Sequence, residues 1–240
     1  MYSHRSTHGP VDLAFTDRYG GVSAVPYDEL NLALEGDDDD PASISENLRR
    51  VLDDFAPGAD LIDMHQVHGN VVDLAEERRV STRPDCDGVV TASRYAVLMV
   101  RVADCVPVLL ADAEAGVIGA AHCGRLGLAL GVVPATVERM RELGAEQVTA
   151  WVGPHVCGAC YEVPAQMQAE VGAVEPTAVA TTSWGTPSLD IGAGVRAQLE
   201  RADVTVVDLS RCTRESPDLY SYRRDGRGAG RNAGLIRIRP

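Results

Sequence analysis

The chain has 240 residues, 45% of them hydrophobic, and a formal charge of −13. That length fits one large domain or two small ones, and the acidic charge speaks against non-specific binding to nucleic acid. All 22 basic residues are arginine; without lysine, a Walker-type phosphate loop and a Schiff-base mechanism are both excluded, and any anion must be held by arginine, helix N-termini or backbone amides.

The N-terminus, "MYSHRSTHGPVDLAF", lacks the basic start and apolar segment of a signal peptide. No apolar run reaches the 18 residues of a membrane span. The expectation is a cytoplasmic protein without membrane contact. Further on, "EGDDDDP" reads as a solvated turn rather than a calcium loop, because EF-hand spacing is missing. Asp40 is placed to cap a helix that starts at Pro41, with Ser43 and Glu46 at capping-box spacing. Ile44, Leu48, Val51, Leu52 and Phe55 mark one face of that helix.

"HQVHGN" supplies His65 and His68. Val67, Val71, Val72 and Gly69 around them predict a strand ending in a turn, so the two rings should point to opposite faces. From Tyr95 onward, "AVLMVRV", "PVLLAD", "GVIGAA" and "QVTAWVG" read as buried strands. Helices are predicted near "PATVERMRELG", "VPAQMQAEVGA" and "IGAGVRAQLERA", and later strands at "DVTVVDL" and "GLIRIR". Interleaved strands and helices predict an α/β domain with a mixed sheet. There is no linker or internal repeat, so one domain over 1–240 is expected.

Six cysteines, at 86, 105, 123, 157, 160 and 212, need no disulfides in a chain of this kind. Cys157 and Cys160 form a lone C-x-x-C, a poor case for structural zinc because no second cysteine pair exists. Cys105 follows Asp104 at the start of one predicted strand, and His122 closes the next, seventeen residues on. A strand-turn-strand brings such positions together. His68, Cys105 and His122 then form an N, S, N set that suits zinc with three protein ligands and an open fourth position, or a Cys–His nucleophile pair. "YSYRRDGRGAGR" gathers Arg223, Arg224, Arg227 and Arg231, either surface arginines paired with carboxylates or a phosphate clamp.

Taken in order, "FTDRYGGVS", "LNL", "HQVHGNVV", "DGVVT", "VADCVPVLLAD", "GAAHCGRLGL", "GPHVCGACYEV", "LDI…QL" and "CT…YSYRRDGRGAGR" closely resemble the YfiH-like family, formerly labelled multicopper polyphenol oxidase or laccase domain proteins. The likeness runs from about Phe15 to Arg231. It implies a single YfiH-type α/β domain, related to the deamidase domain of cytotoxic necrotising factor toxins. It also implies a zinc-dependent purine nucleoside enzyme. The activities it implies are phosphorolysis of adenosine, inosine, guanosine and methylthioadenosine, and deamination of adenosine. Its partners would then be a purine nucleoside and phosphate, acting on a monomer or small homo-oligomer.

The same resemblance assigns the metal to His68, Cys105 and His122. It implies catalytic work for these three and Asp104, and substrate contacts from Arg18, Asn31, Gln66, Arg223, Arg224 and Arg231. Asp104 and Glu162 are the candidate proton carriers. The chain departs from the family pattern H-A-G-W-R-G, reading "HCGRLG" instead, with Arg125 and Leu126 in place of Trp and Arg. A Gly-bounded turn predicts that Arg125 points elsewhere and that phosphate affinity is weak. "ACYEV" stands where the family has C-C-Y-E-V.

Three rival readings are compatible with these residues. A multicopper oxidase needs many histidines, usually in H-x-H pairs, and this chain has six and no such pair. Copper is therefore the less favoured metal, although a mononuclear His-Cys-His site suits it chemically. The others are a metal-free Cys hydrolase or amidase built on Cys105, and a nucleoside-binding regulator without activity.

Overall fold

A computed structural model describes residues 1–33, 39–75 and 83–239. Its elements in chain order are β1 (Tyr2–His8), β2 (Val11–Thr16), α1 (Pro41–Phe55), β3 (Asp60–Ile62), β4 (Val72–Leu74), β5 (Gly88–Thr91), β6 (Ala96–Val102), β7 (Val106–Asp112), β8 (Val117–Cys123), α2 (Arg125–Leu130), α3 (Val132–Glu142), β9 (Thr149–Val152), α4 (Ala165–Val174), β10 (Val179–Thr181), β11 (Pro187–Leu189), α5 (Ile191–Arg201), β12 (Thr205–Asp208), α6 (Tyr222–Asp225) and β13 (Asn232–Ile238). One sheet has the order β1-β2-β13-β6-β3, a second β12-β9-β7-β8-β5-β4, and β10-β11 form a small ribbon. Both larger sheets are mixed. The pairs β3–β6, β4–β5 and β12–β9 are parallel, and their other pairings are antiparallel.

Side-chain alternation explains the layering. Along β6, Leu98, Val100 and Val102 enter a core shared with Leu109, Ile118, Ala120 and Trp151 of the second sheet, while Val97 and Met99 face a core closed by Val51 and Phe55 of α1. Along β7, Val106, Val108 and Leu110 point the other way, to α2, α3 and α5. The two sheets are thus stacked face to face with helices outside both. Strands covered on both faces read as continuous apolar runs, which is why these were legible.

The helix at Pro41 forms as predicted, and Asp40 caps it by accepting from Ala42 N and Ser43 N. The capping box does not form. Ser43 donates its hydroxyl to Asp40 at 3.0 Å, and Glu46 is taken up by Arg49 and Arg50. Residues 35–38 of the acidic run lie outside the described residues.

The strand predicted through His65 and His68 is instead an irregular loop, with His65 in an isolated bridge to Asp85 and β4 starting only at Val72. The reason is Asp87. Its buried carboxylate accepts from the backbone of Val67, His68 and Gly69, taking the amide groups that a strand would give to a neighbour. Among the described residues no helix is long and apolar enough to cross a membrane.

Candidate active site

The β7–β8 hairpin pairs Val106 with Cys123 and Pro107 with His122. Cys105 therefore sits just past the end of the ladder, beside His122. The third member comes from the loop before β4, where His68 adopts a left-handed φ of 61°. The rings of His68 and His122 meet edge to face at 4.8 Å, and Cys105 Sγ is 3.8 Å from His68 Nε2. One donor atom from each of the three residues lies within 4.8 Å of the others. Gly124 makes this approach possible, since a Cβ there would stand 2.8 Å from His68 Cδ2 and 3.1 Å from Cys105 Sγ.

Asp87 supports two of the three. His122 Nδ1–H donates to its carboxylate at 2.7 Å, which fixes the tautomer and leaves Nε2 for the cluster. Burial alone would raise the Asp87 carboxyl, but the bonds from His122, Gly69 and His68 hold it below the usual carboxylate range. Burial would also push the Cys105 thiol up. The charge and hydrogen bonding of His122, with help from His68, outweigh burial and bring the thiol down to about 6. For His122 burial favours the neutral ring, whereas the Cys105 thiolate and Asp87 carry it to about 9.

Two imidazole nitrogens and a cysteine sulfur brought together, with a carboxylate behind one histidine, make a candidate metal site whose donors suit zinc with an open position. These residues fit the metal that the resemblance implies.

The cluster lies on a cavity of about 590 Å³. Five arginines line it, at 83, 101, 125, 223 and 231, against one carboxylate among the described lining residues, Asp104. Arg83 and Arg101 share Asp63, and Arg231 is turned onto the carbonyls of Ala229 and Gly230. Arg125 and Arg223 make no ion pair among the described residues. Arg223 stacks 4.7 Å over the Tyr161 ring, and burial together with the Cys105 charge pushes the Tyr161 hydroxyl above its usual range.

The other residues singled out in the sequence divide between cavity and scaffold. Arg125 lines the cavity and Leu126 is exposed, which corrects the expectation that Arg125 is directed away. Asp104 also lines it, with its carboxylate accepting from Thr213 Oγ1 and Arg223 N, each at 2.5 Å. Gln66 lines it too, bonded twice to the backbone of Arg101.

Arg18, Asn31, Arg224 and Glu162 are not among the residues lining the cavity. Arg18 holds Asp28 and stacks on Tyr220, and Asn31 accepts from Ala33 N and Arg231 N. The Arg224 guanidinium binds the carbonyls of Thr213, Ser216 and Leu219, and Glu162 accepts from Trp184. The structure adds Asp87 and Tyr161. Both lay inside quoted motifs, and an Asp heading the buried run "GVV" was the available signal, because a buried carboxylate needs partners.

The chain is similar to known proteins along nearly its whole length. The family described as multi-copper polyphenol oxidoreductase laccase matches residues 12–239. A purine nucleoside phosphorylase of Streptomyces coelicolor is 52% identical over 246 residues, covering 98% of this chain and 99% of its own. A Neisseria meningitidis crystal structure superposes with a TM-score of 0.87 at 29% identity, over 99% of each chain. The Bacillus licheniformis hypothetical protein YfiH superposes at 0.88 and 25% identity, over 95% of this chain and 93% of that one. Likeness in sequence and fold along nearly its whole length shows that the chain belongs to the YfiH family of multi-copper polyphenol oxidoreductase laccase proteins.

Proposed function

We propose that the protein is a zinc-dependent purine nucleoside phosphorylase acting as one domain over 1–240. The observation that carries this is the meeting, in one cavity, of an N, S, N donor set with two guanidiniums, Arg125 and Arg223, that make no ion pair among the described residues. A phosphate dianion is the ligand such a pair suits. The name of the Streptomyces coelicolor relative supports the same chemistry.

His68, Cys105 and His122 would hold the zinc, which supplies Lewis acidity when bound. Arg125 and Arg223 position phosphate, whose oxygen bonds to C1′ as the C1′–N9 bond breaks and its electron pair leaves with the purine. Tyr161 supports Arg223 from below. Adenosine, inosine, guanosine and methylthioadenosine are the proposed substrates, in a cytoplasmic setting. Deamination of adenosine would use Asp104 as proton carrier, through the lone pairs that Thr213 and Arg223 leave free. Arg18, Asn31 and Arg224, which do not line the cavity, are assigned scaffold roles.

A multicopper centre has less support. Among the described residues His4, His8, His65 and His155 belong to no cluster of potential metal donors, and the cluster on the cavity offers two histidines.

The test is the initial rate of base release from adenosine and inosine at rising phosphate, in zinc-loaded wild type and in Cys105→Ala. Saturable dependence on phosphate, lost in the variant, is expected. Release that is indifferent to phosphate means a hydrolase, and no release from any purine nucleoside overturns the proposal.

A further inference from the structure

The lone C-x-x-C is not alone in space. Cys157 and Cys160 lie on the loop after β9, and Cys212 and Glu215 on the loop after β12. β9 and β12 are parallel neighbours, with Thr149 opposite Thr205 and Val152 opposite Asp208, so both loops leave the same edge of the sheet side by side. They are stitched together, His155 N donating to Arg211 O at 3.1 Å and Thr213 N to His155 O at 3.0 Å. Within the first loop, Cys160 N and Tyr161 N both donate to Cys157 O at 3.0 Å, which folds the C-x-x-C into a tight turn. The result is C-x-x-C facing C-x-x-E, a second pair that a count of cysteines alone misses.

We propose that Cys157, Cys160, Cys212 and Glu215 form a second, structural zinc site. One donor atom from each residue lies within 4.8 Å of all the others, and Cys160 Sγ is 3.5 Å from a Glu215 carboxylate oxygen. A tetrahedral site with zinc–sulfur bonds of about 2.3 Å places its sulfurs about 3.8 Å apart, so only a small inward movement is needed. Three thiolates and one carboxylate make a closed four-donor set, and sulfur-rich tetrahedral sites select zinc. All three cysteines are free thiols in the structure. The site differs in kind from the cluster at His68, Cys105 and His122, which offers three donors and opens onto a cavity.

Its position gives it a task. Tyr161 follows Cys160 and carries Arg223 on its ring, and Thr213 follows Cys212 and holds Asp104. Zinc here would tie the loop that brings Val156 and Tyr161 to the cavity to the loop whose Thr213 holds Asp104.

The test measures zinc in untagged protein after dialysis against a weak chelator, together with alkylation of each cysteine read by mass spectrometry. About two zinc ions per wild-type chain are expected, one in Cys105→Ala, one in Cys157→Ser and none in the double variant. In the zinc-bound wild type, Cys157, Cys160 and Cys212 should resist alkylation and become reactive once a strong chelator removes the metal; this needs no variant to fold. Equal alkylation with and without zinc, or Cys105→Ala protein that holds no zinc, overturns the second site. Loss of zinc in Cys157→Ser alone leaves the catalytic proposal standing, because that rests on the Cys105 cluster.

Discussion

Asp87 grips His122 twice. Its carboxylate receives the imidazole Nδ1–H at 2.7 Å, and its backbone carbonyl receives the His122 N–H at 2.8 Å. The same carboxylate takes the His68 amide at 3.0 Å, so one side chain sets both histidines of the cluster. Contacts of this kind behind a metal ligand are typically worth 10–100-fold in affinity. Asp87→Asn should therefore weaken zinc binding at this site by roughly that factor, as measured by competition with a chromogenic chelator. Unchanged affinity would show that the hairpin and Gly124 alone fix the geometry.

Arg125 and Arg224 should part company on mutation. Removing one charge-assisted hydrogen bond to phosphate costs about 1.5–3 kcal/mol, so Arg125→Ala should raise the phosphate KM roughly tenfold or more while keeping its zinc and its melting temperature. Arg224→Ala should instead lower the melting temperature, because that guanidinium ties three backbone carbonyls. Steady-state kinetics at varied phosphate and thermal unfolding of both variants decide the matter. A normal phosphate KM in Arg125→Ala would remove that residue from the anion site.

Gly124 should not tolerate a side chain. The methyl of Gly124→Ala would fall 2.8 Å from His68 and 3.1 Å from the Cys105 sulfur. The expected outcome is loss of zinc from this cluster with the far-ultraviolet circular dichroism spectrum unchanged. A variant with full zinc occupancy would show that the loop carrying His68 yields easily.

Away from the site, Asp112 should make the protein sensitive to acid. It is 2% exposed and accepts from the amides of Glu114, Ala115, Glu146 and Gln147, pinning the β7–β8 turn to the segment before β9. Burial alone would raise its carboxyl, but these four amides lower it. A depressed folded value means that this stability is complete above the unfolded carboxyl's range near 4 and is lost as pH falls through the folded value. Asp112→Asn should cost about 2 kcal/mol at pH 7, with a smaller difference from wild type near pH 3. Urea unfolding at the two pH values measures this, and an equal cost at both would contradict it.

What the sequence revealed follows from physics that is local. Strands covered on both faces announce themselves as apolar runs, and Asp40-Pro41 announces a helix start; both appear where they were read. The triad was legible because Cys105 and His122 flank one hairpin. The loop at His68 reads as a strand because its valines mimic one, and only the distant carboxylate of Asp87 shows otherwise. Arg18 and Arg224 read as anion binders because a sequence shows charge; the structure adds the carboxylate and carbonyls that they hold. Cys212 and Glu215 could not be joined to Cys157 and Cys160, because the parallel pairing of β9 with β12 is a tertiary fact.

The most direct test of the account is phosphorus NMR of zinc-loaded protein with inosine and inorganic phosphate, alongside quantification of hypoxanthine. The arrangement of His68, Cys105 and His122 beside Arg125 and Arg223 predicts one ribose 1-phosphate for each hypoxanthine released. Hypoxanthine accompanied by free ribose and an undiminished phosphate signal would contradict it.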